Sequence, residues 1–373
     1  MKTHLSRAVL LLPLVFLSSC AAPKSVQISD YIDTDVAFKE NFRLLQLTDI
    51  HWSVNTDPIK QGAYLSKVVE ITNPDFIMIT GDLLLGATTS TAETLINTIS
   101  GWNKPFGITW GNHDREGEYS PTWLSNLVSN AKNSHYHELN DDVFGRSNYV
   151  ISLMNKTTGK AAWNIYSIDS NSYPASSTGL YYDYDVIHDD QVDWFNKVAD
   201  YSATQNGYTV PGLAYFHIPL WQWMYSYLQN QKGLMGEILE SSTYSMAPTE
   251  LKQKFVAAGL PLKFWPGYKD THFFDAGVSK GVKGFFCGHD HSNDWGGTYS
   301  TTSGQSAYVG YGVKSGTELY YTHGSNTRGY LRDYDIIGGS LSTLHGDGTF
   351  DLTHYYVQND AAYTTYTEEV SAL

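Results

Sequence analysis

Five short blocks in this chain place carboxylates and imidazoles where they could do metal chemistry. They are Asp49-Ile50-His51, Gly81-Asp82, Gly111-Asn112-His113-Asp114, His217 within Phe216-His217-Ile218-Pro219, and Gly288-His289-Asp290-His291. Each offers oxygen or imidazole donors of intermediate hardness, and none contains a thiol. Such a donor set suits iron, manganese, zinc or nickel. Alternate residues of an extended segment point to the same side, so Asp49 and His51 could chelate one ion from such a segment. The glycines ahead of the ligands, at 81, 111 and 288, fit a chain that must turn sharply out of a strand.

Taken singly, the blocks are weak. An Asp-x-His pair is common by chance. A lone histidine beside an apolar run is more often a core or surface residue than a ligand. Together they are hard to explain by chance: of 13 histidines, five fall in blocks that each follow a strand-like apolar run.

The elements that must position the blocks show in the apolar pattern. Residues 42–47 read as a strand ending in the first block. Pro58 to Thr72 has helical spacing, with Ile59, Ala63, Leu65, Val68, Val69 and Ile71 on one face. Residues 76–79 form a short apolar run stopped by Gly81-Asp82, which fits a buried strand. A second helix is expected over 91–99, and a strand over 106–110 stopped by the third block. Alternation of this kind implies parallel strands under covering helices. Open α/β sheets gather ligands just beyond the carboxyl ends of such strands. After Gly145, strands are expected at 148–153, 163–168, 213–216, 282–287, 306–312, 331–337 and 352–357, with a helix over 189–198. Residues 219–275 read as long loops and short helices over the site.

The chain has 373 residues, 42% hydrophobic and 14% aromatic, enough for a sizeable core and too aromatic for general disorder. A net charge of −14 argues against a nucleic acid polymer as partner. Two cysteines exclude a disulfide-dense scaffold and a Cys-based zinc module. Lys2 and Arg7 followed by a short apolar run over 8–17 describe an export signal, too short to span a bilayer. Its end, Leu17-Ser18-Ser19-Cys20-Ala21, resembles the lipobox of bacterial lipoproteins, which implies cleavage before Cys20 and acylation of its sulfur. A plain secretory signal cut near Ala21 or Ala22 is the other option. Loss of residues 1–19 would move the charge from −14 to −16. With Cys20 acylated, Cys287 would have no intramolecular disulfide partner. The expected organisation is a signal over 1–19, a tether over 20–38 and one catalytic domain over 39–373. The expected location is outside the cytoplasm, lipid-anchored in the periplasm or at the cell surface, or else secreted.

The five blocks, in this order, resemble those of the calcineurin-like metallophosphoesterases, over roughly residues 40–357. Asp190-Gln191 with Trp194-Phe195, the Phe216–Pro219 run and Cys287 to Asp294 resemble the small single-domain branch related to purple acid phosphatases. The resemblance implies an α/β (α+β) fold: a four-layer αββα sandwich of two mixed β-sheets flanked by helices, meeting under a dinuclear metal site. It implies that Asp49, His51 and His291 bind one ion, that Asn112, His217 and His289 bind the other, and that Asp82 bridges them. The ions would be two of iron, manganese or zinc, and a hydroxide bridging them would attack phosphorus in line. His113 would face the leaving group, with Asp114 holding its ring. Purple acid phosphatases carry a tyrosine three residues after the bridging aspartate; here Leu85 stands there, so no purple colour is expected.

The implied function is an exported phosphohydrolase acting on a small phosphoester, most simply a monoester. A phosphodiesterase acting on a nucleotide or lipid headgroup would use the same metal core. A non-catalytic surface lipoprotein on a degenerate fold is the alternative outside enzymes, and the filled ligand positions disfavour it. Other features are weaker. Trp221-Gln222-Trp223 suits a lid, a substrate wall or a packed core. Asp183, Asp185, Asp189 and Asp190 lack calcium-loop spacing and read as a solvated acidic loop. Arg328 and Arg332 could clamp phosphate. His135 and His137 read as surface or loop residues.

Overall fold

The computed structural model describes residues 26–139, 143–174, 184–230, 266–291, 294, 296–317, 336–358 and 365–370. The export signal, Cys20, Asp183, Arg328 and Arg332 lie outside the described residues, as does most of 219–275.

Two mixed sheets stack face to face. The first has the order β13-β12-β11-β2-β3-β4. Its parallel half is β2 (Phe42–Leu47), β3 (Phe76–Thr80) and β4 (Phe106–Thr109). Its antiparallel half is β11 (Ile336–Leu344), β12 (Phe350–Gln358) and β13 (Thr365–Val370). The second sheet has the order β1-β5-β6-β7-β8-β10-β9. These strands are β1 (Ile32–Asp33), β5 (Tyr149–Asn155), β6 (Lys160–Ser167), β7 (Gly212–Tyr215), β8 (Val282–Cys287), β9 (Gly296–Ser300) and β10 (Ser306–Tyr311).

Helices close both outer faces. α1 (Pro58–Thr72) and α2 (Thr89–Gly101) pack Leu65, Val68, Leu95 and Ile99 into the core that also holds Leu44, Ile77 and Ile108. α4 (Asp189–Asn206) lies over the second sheet, while α3 (Pro121–Ser129) adds to the first side. The second sheet divides its side chains by the two-residue period of a strand. Ile165, Leu213 and Phe286 enter the core shared with the first sheet, and their neighbours Tyr166, Ala214 and Phe285 enter the core shared with α4. The architecture is the four-layer αββα sandwich.

Local chemistry sets the helix ends. Asp57 caps α1 by accepting from the Ile59 and Lys60 N–H groups, Pro58 fills the first turn, and Asn73 ends the helix in a left-handed conformation at φ 36°. Ile59 is 85% exposed, so it does not share the buried face expected for it. It sits in the first turn, before the apolar stripe meets the sheet. α4 runs past Val198 to Asn206 because Ala199, Ser202 and Asn206 continue the buried stripe; Gly207, at φ 77°, stops it. The stretch read as a tether is docked over its described part. Tyr31 and Val36 are buried, β1 pairs with β5, and the Phe38 N–H donates to the Met154 carbonyl. Among the described residues no helix is long and apolar enough to cross a membrane.

Candidate metal centre

All five blocks leave the carboxyl ends of strands: β2, β3 and β4 in the first sheet, β7 and β8 in the second. Backbone bonds lace these exits together. Asp49 N–H donates to the Gly81 carbonyl at 3.1 Å, and His51 N–H to the Asp82 carbonyl at 2.9 Å. Within the second sheet, Gly288 N–H donates to the His217 carbonyl at 3.1 Å; across the sheets, His289 N–H donates to both Asp49 carboxylate oxygens at 3.1 and 3.0 Å.

Asp49 and His51 reach the same place by a route different from the extended segment expected. Both are left-handed, at φ 52° and 49°, as are Asp82 at 49° and His289 at 79°. Side chains with a Cβ rarely adopt this region, and where they do the surroundings must enforce it. Gly81 is left-handed too, at φ 80°. Gly111 and Gly288 are not; they are needed for close approach. A Cβ on Gly111 would strike Asp82, and one on Gly288 would strike Thr48 and Asp49.

Two groups of donors result. Asp49, His51, Asp82 and His291 each offer one ligand atom within 4.8 Å of the others, and Asp82, His217 and His289 do the same. Asp82 belongs to both. Its Oδ2 lies 3.6 Å from His51 Nε2 and 3.1 Å from His217 Nε2. Asn112 Oδ1 joins the second group, 3.1 Å from His217 Nε2.

The chemistry of this set calls for cations. His217 Nδ1–H donates to the Thr80 carbonyl at 2.8 Å. In the neutral ring this leaves the Nε2 lone pair facing the Asp82 and Asn112 oxygens, acceptor against acceptor. His51 Nε2 and His291 Nε2 are 2.8 Å apart, so two ring nitrogens also converge. A proton or a metal ion must sit between such atoms. From protein charges alone, burial disfavours the His217 cation, but Asp82 and Asp49 outweigh it and lift its pKa to about 9. Burial and His291 push His51 down to about 3. Burial would raise Asp82, but His217 holds it well below the usual carboxylate range. The seven residues therefore fit a pair of transition-metal ions.

His113 stands beside this cluster, its ring 5.4 Å from that of His51. Asp114 does not hold that ring. Asp114 is buried, and its two oxygens accept from Gly111 N–H at 2.8 Å and Leu84 N–H at 3.0 Å. Burial and Asp82 push its pKa to about 7. The carboxylate on the histidine is Glu116, whose Oε2 accepts from His113 Nδ1–H at 2.7 Å. Burial opposes the charged ring, yet Glu116 and Asp82 outweigh it and raise the His113 pKa. The i,i+3 spacing of a helical turn from His113 to Arg115 could have signalled Glu116.

Sequence reasoning also missed two tyrosines. Asn112 Nδ2–H donates to the Tyr173 hydroxyl at 3.2 Å, and Tyr184 stands edge-on to His289 at 4.2 Å between ring centroids. Of the weaker candidates, Trp221 and Trp223 are fully buried in the core beneath α4 and form no lid. Asp185 is buried and accepts from His188 Nε2–H at 3.0 Å, so it is not part of a solvated acidic loop; Asp189 and Asp190 begin α4. His135 donates to Asp33 at 2.6 Å, on the side of β1. Cys287 is buried as a free thiol.

The sequence profile of calcineurin-like phosphoesterases matches residues 42–293, and the chain belongs to that family. Among its relatives, it is 27% identical to probable inactive purple acid phosphatase 29 of Arabidopsis thaliana, over 68% of this chain and 68% of that one. It is also 27% identical to phosphatase DCR2 of Saccharomyces cerevisiae, over 68% of this chain and 44% of that one. The chain spans about half the length of the yeast relatives it matches, 49% for a Schizosaccharomyces pombe protein and 44% for DCR2. A dimetal phosphatase from Danio rerio superposes with a TM-score of 0.49 at 11% identity, covering 89% of this chain and all of that one.

Proposed function

We propose that this protein is a metal-dependent phosphohydrolase acting on phosphomonoesters. The observation that carries it is the completeness of the site: seven donors in two groups sharing Asp82, with His113 beside them. Some relatives are named as inactive; a degenerate site would have lost a donor, and here each position is filled.

Asp49, His51 and His291 would hold one ion, Asn112, His217 and His289 the other, and Asp82 both. Two such ions supply Lewis acidity toward phosphoryl oxygens and an activated water for in-line displacement. Thr80 fixes the His217 tautomer through its carbonyl. Asp49 is oriented by the Thr48 hydroxyl and the His289 N–H. His113 offers a proton at the leaving ester oxygen, and Glu116 positions that ring.

The test is hydrolysis of p-nitrophenyl phosphate against the bis(p-nitrophenyl) diester, after chelation and after return of manganese, zinc or iron. The expected result is monoester turnover restored by metal. In parallel, turnover falls about 100-fold in His113→Ala and about 10-fold in Glu116→Gln. Diester preference would overturn the monoesterase assignment. A folded protein that binds two ions and hydrolyses neither ester would overturn the enzyme itself.

We further propose that the protein is exported and held at a membrane through acylated Cys20, on the strength of the charged start, apolar run and lipobox-like end. Cys20→Ser is expected to move the protein from the membrane to the soluble fraction of a bacterial host. Unchanged membrane association would count against the anchor.

A further inference from the structure

The turn that carries His113 is held from two sides. On one side it is tied to the loop after β3: Asp114 accepts from the Gly111 and Leu84 N–H groups, and His113 N–H donates to Asp82 Oδ1 at 2.9 Å. On the other side stands an ion pair. Arg115 closes the turn, and its Nη2–H donates to Asp169 Oδ2 at 2.9 Å. Asp169 lies two residues beyond the end of β6, in the second sheet. The sheets meet at this point, since the hydroxyl of Thr109, the last residue of β4, donates to the Ile168 carbonyl at 2.9 Å.

Asp169 is a fixed post. Its side chain is fully buried. Oδ2 also accepts from Arg146 N–H at 2.7 Å, and Oδ1 accepts from Asn171 N–H at 2.8 Å. Its own N–H donates to Asn148 Oδ1, and its carbonyl accepts from Gln191 Nε2–H at 2.7 Å. The turn from His113 to Arg115 is a single 3-10 turn of three residues. The hydrogen-bond geometry within such a turn is poor, so its place is set by what it is tied to. A guanidinium on a buried carboxylate is a strong, directional tie that salt screens little.

We propose that Arg115, through Asp169, is a positioning residue for the general acid. It locks the His113 turn to the second sheet, so that the imidazole stands where the leaving ester oxygen takes its proton as the bond to phosphorus breaks. Glu116 orients the ring; Arg115 sets where the turn that carries it sits. This inference rests on the phosphohydrolase function proposed above and adds a residue to its machinery.

The leaving group tests it. Phenyl phosphate needs a proton at its leaving oxygen, whereas the dinitrophenolate of 2,4-dinitrophenyl phosphate departs without one. At saturating metal, Arg115→Ala is expected to lower kcat about 10-fold on phenyl phosphate, with KM little changed. On the dinitrophenyl ester kcat should stay near that of the parent. Arg115→Lys, which keeps the charge, should recover part of the loss. In a His113→Ala background, Arg115→Ala should add less than about 2-fold, because the group it positions is gone. Equal losses on both esters, or a full second loss in the His113→Ala background, would overturn the positioning role. If the parent turns over neither ester, the phosphohydrolase function fails. Amide exchange still decides the tie in that case: the His113 and Glu116 N–H groups should exchange about 10-fold faster in Arg115→Ala than in the parent, and unchanged exchange would refute it.

Discussion

Replacing Asp82 by asparagine is expected to lower monoester turnover by on the order of 1,000-fold, and to leave the protein folded. Asp82 is the residue common to both donor groups, and its Oδ2 lies 3.6 Å from His51 Nε2 and 3.1 Å from His217 Nε2. Asparagine keeps the shape and can still accept the His113 N–H, which Asp82 Oδ1 takes at 2.9 Å. What is lost is the negative charge that Asp82 would contribute to both proposed ions. Buried carboxylates crowd this region, since Asp49, Asp82 and Asp114 are all almost fully enclosed. Neutralising one of them does not weaken the metal-free fold by removing an attraction alone; it also removes repulsion. The readout is therefore twofold. Melting temperature without metal should stay close to that of the parent protein. The rise in melting temperature on adding metal, which follows from binding to the folded state, should shrink or vanish. A variant that keeps the full metal-induced rise and full turnover would show that Asp82 does not bridge.

The second large effect is expected from a single methyl group. In Gly288→Ala, the new Cβ would meet Thr48 Oγ1 and come within 2.6 Å of Asp49 Oδ2. Neither can retreat freely. Thr48 is buried and donates to both Asp49 Oδ2 and the Thr80 carbonyl, and Asp49 is pinned by the His289 N–H. Asp49 would have to leave the position in which it faces His291, at 3.2 Å. Metal affinity should fall at least about 100-fold, with an overpacking cost of about 1–3 kcal/mol in stability. Gly101→Ala is the control: it lies at the end of α2, a Cβ there meets nothing within 4 Å, and its φ is not in the left-handed range. That variant should bind metal like the parent. Equal metal affinity in Gly288→Ala and Gly101→Ala would refute the close-approach argument.

The sequence by itself determined the parallel core and the identity of the polar blocks. The apolar runs at 42–47, 76–79 and 106–110, separated by helical spacing, leave little choice. A strand buried on both faces reads as a near-continuous apolar run, and the polar block after the run marks where it emerges. Hence β2, β3 and β4 end within a residue of expectation, and each is followed by its donors. The start of α1 was equally legible, because capping is a local matter.

What only the tertiary structure decided is how those blocks face one another. The left-handed backbone at Asp49, His51, Asp82 and His289 is enforced by bonds between loops far apart in sequence, such as His289 N–H to Asp49, 240 residues away. No local propensity announces it, and local propensity argues against it. For the same reason the third block misled at Asp114. Next to His113 in sequence, it turns away to satisfy two backbone N–H groups, and Glu116 takes the ring. The docking of residues 31–38 against β5, the burial of Trp221 and Trp223, and the approach of Tyr173 and Tyr184 to Asn112 and His289 are likewise long-range matters. Side-chain periodicity tells which face of an element is buried. Which element covers that face is settled only when the sheets close on each other.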